Sequence, residues 1–395
     1  MFNKVVIMGL GYIGLPTAAL IAKSGIKVIG VDVNEDVVET VNRGGIHIKE
    51  PDLKGLVKYV VENGNLVAKK EPEEADVFII AVPTPFKDGY KPDLSYVIKA
   101  TEMIIPYLRE GNLVIIESTS PVGTTERISE LIFEKRPELE GKVYIAYCPE
   151  RVLPGKILYE LENNDRVIGG IDEKSTDRAV EFYSKFVKGS LHRTSSKTAE
   201  MCKLVENAYR DVNIAFANEI SMICDKVGID VRELIELANK HPRVNILQPG
   251  VGVGGHCIAV DPWFIISEFE ENSKLMRTAR EVNMEKTEWV IKKIEESIRE
   301  FREKYNKEPV VACLGLTYKP DVDDLRESPA LYIVKKLIAG GFNILSVEPH
   351  IKEFEGLKVY SVEEATNAAD IVVFLVKHRI FEEIELNNKI ILDFC

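Results

Sequence analysis

Short apolar runs alternate with amphipathic stretches along the first half of the chain. The runs predict β-strands at Val5–Leu10, Lys27–Val31, Val77–Val82 and Leu113–Glu117. Because the stretches between them have helical periodicity, the pattern is typical of parallel strands joined by crossover helices in a doubly wound sheet. The segment from Pro83 to Pro92 follows the third of these strands, at the edge of the sheet where ligands bind in such folds.

The C-terminal part of the chain repeats this pattern. Four segments match in the same order, namely Val5-Val6 with Val310-Val311, Val28–Asp32 with Ile344–Glu348, Ala75–Val77 with Ala369–Ile371, and Val114–Glu117 with Ile390–Asp393. Matched strands in a matched order predict a second α/β domain related to the first.

The middle of the chain has no strand pattern. Lys197–Gly228 and Arg277–Tyr305 have the periodicity of long helices, and the first ends at a glycine. We expect a subunit interface here, which would make the protein a homodimer or a higher homo-oligomer. The predicted fold is α/β, with two Rossmann-like doubly wound parallel-sheet domains at residues 1–196 and 306–395 and a central helical region at residues 197–305.

The balance of charge argues against a nucleic-acid partner. Acidic residues outnumber basic ones by 63 to 51, so the formal net charge of -12 repels a phosphate backbone. An anionic substrate would need a few well-placed arginine or lysine side chains. The six cysteines include no C-x-x-C pair, so we expect neither disulfides nor a metal site, and we expect a cytoplasmic location.

The uncharged run from Val5 to Ala22 has the look of a signal peptide or a membrane span. Glycines and a proline interrupt it, its first third is strand-like and its last third is helix-like. We interpret it as a buried βα unit, and we expect a soluble protein without a membrane partner.

The same run contains the first candidate site. Gly9, Gly11 and Gly14 form a G-x-G-x-x-G sequence between strand and helix, and Asp32 ends the next strand. Such glycines let the backbone approach a pyrophosphate at a helix N-terminus, and the acid binds a ribose diol. A carboxylate repels a 2'-phosphate, so the pattern favours NAD over NADP. The second copy keeps only Gly315, which excludes an equivalent dinucleotide site.

A second candidate site is the glycine-rich loop that runs from Gln248 to Cys257. A cysteine at the end of such a loop is a candidate nucleophile, whereas an arbitrary free cysteine is more often a small buried hydrophobe. Asp261, four residues later, is either a proton acceptor or a helix-cap carboxylate.

A third candidate lies on the first long helix, where Lys203, Asn207 and Arg210 share one face. The alternative is a solvated stripe, with Lys203 paired to a neighbouring glutamate. Apolar neighbours, including Tyr209 and Phe216, predict burial of this helix. A buried asparagine needs hydrogen-bonding partners, and a ligand would be one.

With these residues assembled, the chain resembles the UDP-glucose/GDP-mannose dehydrogenase family over essentially its whole length. The segments that carry the resemblance are GLGYIGLP, STSPVG, CPER, AEMCKLVENAYRD, GVGGHC and KPDVDDLRESP. The resemblance implies a four-electron oxidation of a sugar C6 alcohol to a carboxylate with two NAD+, through a thiohemiacetal and a thioester on the cysteine. The segments CPERVLPG, TAEMCKL, HPRVNILQPG and GGHCIAVDPWF imply UDP-N-acetyl-D-mannosamine as substrate, with UDP-N-acetylglucosamine and UDP-glucose as alternatives.

The resemblance also implies roles for individual residues. Cys257 matches the nucleophile, Lys203 a proton donor/acceptor or oxyanion stabiliser, and Asn207 an oxyanion ligand, while Asp261 and Glu150 match residues linked to water and proton handling. The implied NAD contacts are Gly9, Gly11, Tyr12, Ile13, Gly14, Asp32, Thr84, Thr119 and Arg326. The implied contacts of the nucleotide sugar are Arg151, Val152, Lys203, Asn207, Arg210, His241, Arg243, Gly254, Tyr318 and Lys319, with His241 and Arg243 reaching across a dimer interface.

Two departures and two further alternatives accompany this prediction. Val260 replaces a lysine of the cysteine loop, and a short glycine- and arginine-containing tail of the relatives is absent, which we expect to lower activity. A two-electron hydroxyacid or 6-phosphogluconate-type dehydrogenase would need no cysteine. A non-catalytic sensor would bind NAD and a nucleotide without producing NADH.

Overall fold

A computed structural model of the chain describes residues 2–87, 90–153, 155–351, 354 and 356–395. The chain forms two compact units, Met1–Val205 and Glu206–Cys395, and the boundary falls inside a long helix. The predicted fold class is confirmed, because each unit contains a parallel sheet with crossover helices and the middle of the chain is helical.

The first unit is built on an eight-stranded sheet. The strands of this unit are β1 (Lys4–Met8), β2 (Lys27–Val31), β3 (Leu66–Lys69), β4 (Val77–Ile80), β5 (Phe86–Lys87), β6 (Lys91–Pro92), β7 (Leu113–Ile116), β8 (Tyr144–Tyr147), β9 (Arg166–Gly170) and β10 (Leu191–Ser195). Of these, β5 and β6 form a separate two-stranded hairpin, and the other eight form the large sheet. Its helices are α1 (Gly14–Lys23), α2 (Glu35–Asn42), α3 (Leu53–Glu62), α4 (Ser95–Ile104), α5 (Thr124–Lys135), α6 (Ile157–Asn163), α7 (Glu173–Tyr183) and α8 (Ser196–Val227), the last of which continues into the second unit.

The strands of the large sheet lie in the order β10-β9-β8-β7-β4-β1-β2-β3. All neighbours are parallel except β8 and β9. Both faces of the sheet are buried, as β1 shows: Val5 and Ile7 pack into one apolar cluster, and Val6 and Met8 pack into another on the opposite face. Burial of both faces explains why the central strands are continuous apolar runs in the sequence.

The second unit begins with helices and ends with a smaller sheet. Its elements after α8 are α9 (Val231–Ala238), α10 (Asp261–Glu268), α11 (Lys274–Tyr305), β11 (Val311–Leu314), α12 (Pro329–Ala339), β12 (Ile344–Val347), β13 (Val359–Tyr360), α13 (Val362–Ala368), β14 (Ile371–Phe374) and β15 (Ile390–Asp393). The sheet order is β13-β12-β11-β14-β15, and all its neighbours are parallel.

The internal repeat predicted from the sequence is confirmed by the topology. The order β13-β12-β11-β14-β15 reproduces the order β3-β2-β1-β4-β7 of the first sheet. Residues 196–305, all of which the structure describes, contain no strand, as expected. The first predicted strand ends at Met8 rather than Leu10, because the Leu10 amide leaves the sheet and donates to the Asp32 side chain.

Polar groups buried between helices hold α8 against α11 in the second unit. The Arg280 guanidinium donates to the Asp211 carboxylate at 2.7 Å, and Lys286 Nζ donates to Ser221 Oγ at 2.8 Å. Buried polar groups of this kind need partners, and here each helix supplies them to the other. Within the described parts of the chain, none of the helices combines the length and the apolar character needed to cross a membrane.

Candidate active site

The turn between β1 and α1 has the geometry of a pyrophosphate cradle. Gly9 has φ +95°, and a Cβ there would lie 2.7 Å from the carbonyl oxygen of Ala81, while a Cβ at Gly14 would lie 1.9 Å from the Gly9 oxygen. These two glycines are therefore required by the packing of the turn itself. A Cβ at Gly11 would meet nothing within 4 Å, so that position leaves open space where a phosphate can approach the helix N-terminus.

The acid at the end of β2 completes this site. Asp32 Oδ2 accepts the Leu10 amide at 3.0 Å and Oδ1 accepts the Asn34 amide at 2.9 Å, so the carboxylate is held beside the glycine turn while remaining partly exposed. Tyr12 is exposed and Ile13 is half-buried in the same turn. The residues present fit an adenine dinucleotide, because they offer open backbone amides for a pyrophosphate and a carboxylate for a ribose diol.

Two threonines predicted at the cofactor site also lie together. Thr84 Oγ1 donates to the Thr119 carbonyl at 2.8 Å, which joins the loops that follow β4 and β7. A buried carboxylate on α8 anchors the same region, because Glu200 accepts the Gly123 amide at 2.6 Å and the Thr125 amide at 2.7 Å. Glu200 is therefore committed to the N-terminus of α5 rather than to Lys203.

Glu150 lies in a buried ion pair. Its Oε2 accepts from Arg166 at 2.9 Å and its Oε1 accepts the Arg151 amide at 2.6 Å, with both side chains of the pair less than a tenth exposed. Val152 packs against the apolar core beside them. The pair fixes the orientation of the Glu150 carboxylate, since charge-assisted hydrogen bonds are strong and directional.

The predicted polar face of α8 is formed in the second unit by a chain of hydrogen bonds. Arg210 donates to Asn207 Oδ1, and Asn207 Nδ2 donates in turn to the Asp261 carboxylate at the start of α10. Asn207 is fully buried, so its partners here are protein groups. Lys203 lies one helical turn before Asn207 on the same helix.

The helix prediction was wrong about two aromatic residues. Tyr209 is 69% exposed and Phe216 is 49% exposed, although we expected burial. Ala208 and Ala215, the small apolar residues next to them in the sequence, are buried. Both exposed aromatic residues lie about half a helical turn away from the face that carries Lys203 and Asn207. The burial of that face therefore does not extend to them.

The glycine-rich loop is attached to α8 at one end and runs into α10 at the other. The Gly250 amide donates to Asn218 Oδ1 at 2.9 Å, and Asn218 is in turn held by Asn283 of α11. At the other end the Asp261 amide donates to the Cys257 carbonyl at 2.8 Å. Cys257 is partly exposed between these anchors, whereas Cys148, Cys224 and Cys313 are buried. The backbone of Cys257 is therefore bonded directly to Asp261, which is in turn the hydrogen-bonding partner of Asn207.

The loop after β11 packs against the cysteine loop. Cβ atoms added at Gly254 and Gly255 would lie 2.9 Å and 2.8 Å from the Tyr318 side chain, so both glycines are needed for this close approach. The Gly255 amide donates to the Arg326 carbonyl at 3.0 Å. Lys319 follows Tyr318, and the Arg326 guanidinium is paired with Asp324 at 2.6–3.1 Å.

His241 and Arg243 lie in an exposed turn after α9. The Val244 amide donates to the His241 carbonyl, and the Asn239 side chain exchanges two hydrogen bonds with the backbone of Ile246. The Arg243 amide also donates to His241 Nδ1 at 3.3 Å, so the turn is ordered by its own contacts while both side chains remain exposed. Exposed side chains are what the predicted role across a subunit interface requires.

Several residues that organise these sites were missed from the sequence. Arg166 is a charged residue inside a buried strand, and Glu348 is the counterpart of Asp32 in the repeat. Both residues could therefore have been identified from the sequence pattern. Glu117, which is buried and bonded to Tyr183, and His378, which is buried beside Glu348, carried no such pattern.

Comparison with known proteins adds independent findings. Models of one family, the UDP-glucose/GDP-mannose dehydrogenase family, match three parts of the chain: the NAD binding domain at residues 3–187, the central domain at residues 197–285 and the UDP binding domain at residues 312–395.

Individual relatives are similar over almost the whole chain. A UDP-N-acetyl-D-mannosamine dehydrogenase of Escherichia coli (strain K12) is 52% identical over 98% of this chain and 96% of its own length. An NDP-N-acetyl-D-galactosaminuronic acid dehydrogenase of Ralstonia nicotianae is 51% identical over 99% of this chain and 95% of its own. The solved structure of a UDP-D-ManNAc dehydrogenase from Pyrococcus horikoshii superimposes with a TM-score of 0.90 at 39% identity, over 99% of this chain and 95% of that one.

Proposed function

The chain belongs to the UDP-glucose/GDP-mannose dehydrogenase family, and we propose that it oxidises the C6 alcohol of UDP-N-acetyl-D-mannosamine to the carboxylate of UDP-N-acetyl-D-mannosaminuronate. The protein is an NAD-dependent dehydrogenase with a domain for a UDP-sugar. The observation that carries the proposed chemistry is the second-unit cluster in which the Cys257 loop meets the hydrogen-bonded pair of Asn207 and Asp261. The choice of sugar is supported by relatives of that name at 52% identity.

The cysteine accounts for a four-electron reaction at one carbon. NAD+, when bound at the glycine turn, would accept a hydride from C6 in each of the two oxidations. Between them the Cys257 thiolate adds to the C6 aldehyde, forming an S–C bond and an alkoxide that becomes the thiohemiacetal. Loss of the second hydride leaves a thioester, and water cleaves its S–C bond to release the carboxylate and regenerate the thiol.

The neighbouring polar groups have distinct tasks in this scheme. On the family pattern we assign the Asn207 amide, which Arg210 and Asp261 hold in place, to the stabilisation of negative charge on the C6 oxygen. Asp261, already within hydrogen-bonding distance of Asn207, accepts protons from the hydroxyl or the attacking water. We assign Lys203 to proton transfer or oxyanion stabilisation and Glu150 to the handling of water, on the family pattern.

Binding of the sugar nucleotide uses cationic and aromatic side chains. We assign the contacts to Arg151, Val152, Arg210, His241, Arg243, Gly254, Tyr318 and Lys319. Arginine forks suit a diphosphate, and a tyrosine ring offers a flat apolar surface to a sugar or base. In a protein with net charge -12, such local positive groups are what an anionic ligand requires.

An exhaustion assay tests this function. Limiting UDP-N-acetyl-D-mannosamine is converted with excess NAD+, and total NADH is read from its absorbance. We expect two NADH per sugar. One NADH per sugar would mean that the reaction stops at the aldehyde and would refute the covalent mechanism, whereas the Cys257→Ala variant controls for background oxidation.

The identity of the sugar is tested by running other nucleotides in the same assay. UDP-N-acetylglucosamine and UDP-glucose are the alternatives from the sequence. Because the Ralstonia nicotianae relative is named an NDP-N-acetyl-D-galactosaminuronic acid dehydrogenase, we add the UDP derivative of N-acetylgalactosamine to the panel. We expect the highest kcat/KM for UDP-N-acetyl-D-mannosamine, and a higher value for another sugar would overturn the choice while leaving the reaction type intact.

A second copy of the chain is the partner that α8 favours. We define the apolar stripe of α8 as Tyr209, Val212, Phe216, Ile220, Ile223 and Val227, which follow one another at separations of three or four residues. Four of them are about half exposed or more, an unusual exposure for residues of this type. Apolar residues three or four positions apart form the seam along which two helices pack. We therefore propose that the protein is a homodimer formed through this stripe.

A further inference from the structure

The second sheet repeats the backbone geometry of the cofactor site around a different acid, Glu348. At the end of β12, Glu348 Oε2 accepts the Leu316 amide at 2.8 Å and Oε1 accepts the His350 amide at 3.0 Å. Asp32 receives the same two bonds, from Leu10 and Asn34, at the end of β2. The two carboxylates are therefore structural counterparts and not merely counterparts in sequence.

The two carboxylates differ in what fills their free side. Asp32 is partly exposed, whereas the Glu348 side chain is completely buried beneath His378. His378 Nε2 lies 3.0 Å from Glu348 Oε2, and His378 Nδ1 accepts the Asp321 amide at 2.9 Å. These partners assign the neutral tautomer with the proton on Nε2. An imidazole thus occupies the space that a ribose diol would need.

This buried pair holds both ends of the loop at residues 316–321. Glu348 binds the amides of Leu316 and Thr317 at the beginning of the loop, and His378 binds the amide of Asp321 at its end. Inside the loop, Thr317 Oγ1 donates to the Lys319 carbonyl at 3.0 Å. The loop therefore has few unrestrained backbone groups.

The restrained loop reaches the cysteine loop through one aromatic residue. The Tyr318 side chain lies against Gly254 and Gly255, where any added Cβ would come within 3 Å of it. Cys257 follows only two residues later. A shift of Tyr318 would consequently alter both the nucleotide contacts and the position of the loop that carries the thiol.

We propose that Glu348 and His378 are positioning residues, which act through the 316–321 loop to hold Tyr318 and Lys319 in place for the UDP-sugar. The acid that binds cofactor in the first copy of the fold has become an internal clamp for a substrate loop in the second. The clamp rests on the proposed function only in that Tyr318 and Lys319 contact the nucleotide sugar.

The electrostatics of the pair agree with a permanent clamp. Burial acts to raise the pKa of Glu348, but the hydrogen bonds from His378 and from the amides of His350 and Leu316 outweigh it and leave the pKa below its ordinary value. Glu348 therefore accepts as a carboxylate at neutral pH. Asp321, His350 and His378 also place ligand atoms within 4.8 Å of one another, but a cation there would displace the bond between His378 and the Asp321 amide.

The test compares Glu348→Gln and His378→Phe with Glu382→Gln, an exposed glutamate in the turn after His378. A glutamine at 348 replaces one acceptor oxygen by a donor that faces other donors. Amide hydrogen exchange followed by mass spectrometry reports the loop directly and needs no substrate. We expect exchange at residues 316–321 to rise by roughly tenfold or more in both clamp variants and to stay unchanged in the control.

Steady-state kinetics provide the second readout. We expect KM for the UDP-sugar to rise by roughly tenfold in the clamp variants, while KM for NAD+ changes by less than about twofold. Thr317→Val is a milder variant for the case in which a clamp variant does not fold. It removes the bond to the Lys319 carbonyl and the longer contact of 3.4 Å between Thr317 Oγ1 and His378 Nε2, but it leaves the bonds from the Leu316 and Asp321 amides in place, so we expect a smaller rise in the same KM.

The outcomes separate the clamp from the proposed function. Unchanged exchange in folded Glu348→Gln would overturn the clamp, as would an equal rise of both KM values, which indicates general loosening. If exchange rises but the wild-type protein neither binds UDP in calorimetry nor turns over any UDP-sugar, the clamp stands as a structural feature and the proposed function fails. If only the UDP-sugar KM and the loop exchange change, both are supported.

Discussion

Replacing Glu117 by glutamine should remove a large part of the pH dependence of the stability of the first unit. Glu117 follows β7 and is almost completely buried. Its Oε1 accepts from Tyr183 Oη at 2.6 Å, and among the described residues its Oε2 has no hydrogen-bonding partner. Burial raises the pKa of this carboxyl from 4.5 to about 7, Arg166 and the Tyr183 hydrogen bond lower it, and Glu150 raises it further.

The sign and size of the effect follow from linkage. Because the folded-state pKa of Glu117 lies above the unfolded-state pKa, the native state binds the proton more tightly. Its contribution to stability is fully present below about pH 4.5 and is lost as the pH rises to about 7. The difference between these pKa values corresponds to about 3 kcal/mol, most of which falls between pH 5 and pH 8. Full burial means that solvent screening does not reduce this figure.

Urea unfolding of wild type and Glu117→Gln, followed by far-UV circular dichroism at pH 5 and pH 8, measures the effect. Both tryptophans, Trp263 and Trp289, lie in the second unit, so their fluorescence follows that unit separately and serves as an internal reference. On going from pH 5 to pH 8, wild type should lose roughly 2 to 3 kcal/mol more stability in its first unit than the variant does. Glu130→Gln, at an exposed site on α5, should behave like wild type. Equal pH dependence in wild type and Glu117→Gln would refute the argument.

Three further predictions concern the second unit. Burial lowers the pKa of Lys286 to about 8, although the charge of Asp225 acts to raise it, and Lys286 Nζ lies 3.9 Å from the centroid of the Trp289 ring. Tryptophan fluorescence should therefore change with a midpoint near pH 8 as the amine loses its proton, and Lys286→Met should abolish that change. Phe216→Asp and Ile223→Asp should convert a dimer to monomers in light scattering, because each places a charge in the apolar stripe, whereas Glu219→Gln on the exposed surface of the same helix should not. Cys257→Ala should lower the overall turnover by at least about 1,000-fold while leaving NAD+ binding, measured by calorimetry, unchanged; substantial turnover to the carboxylate would exclude the thioester.

The central part of the fold was readable from the sequence because its strands are buried on both faces. β1, β2, β4 and β7 are continuous apolar runs, and each was predicted to within two residues. The outer strands were missed for the complementary reason. β10 has the sequence LHRTS and is largely exposed at the edge of the sheet, so no apolar run marks it. Edge strands satisfy their backbone through one neighbour and need few apolar side chains.

The candidate sites divide in the same way. The glycine turn, Asp32 and the cysteine loop are local patterns, in which neighbouring residues in sequence perform one task. The bond between Asn207 and Asp261 joins residues 54 positions apart, and the pair of Arg166 and Glu150 joins residues 16 positions apart across the only antiparallel neighbours of the described large sheet. Such contacts depend on how elements pack, which periodicity does not report.

The internal repeat shows how one backbone geometry supports two chemistries. Gly9 and Gly315 both donate to the carbonyl that ends the neighbouring strand, at 2.7 Å and 2.9 Å, and the acids that follow receive equivalent amides. The open side of the acid decides the outcome. Where solvent reaches Asp32, the carboxylate is available to a ribose diol; where His378 covers Glu348, the same carboxylate can only bind the protein itself. In the second unit the missing glycines and the buried histidine over the acid both exclude a dinucleotide, and the site that remains is free to organise a substrate loop.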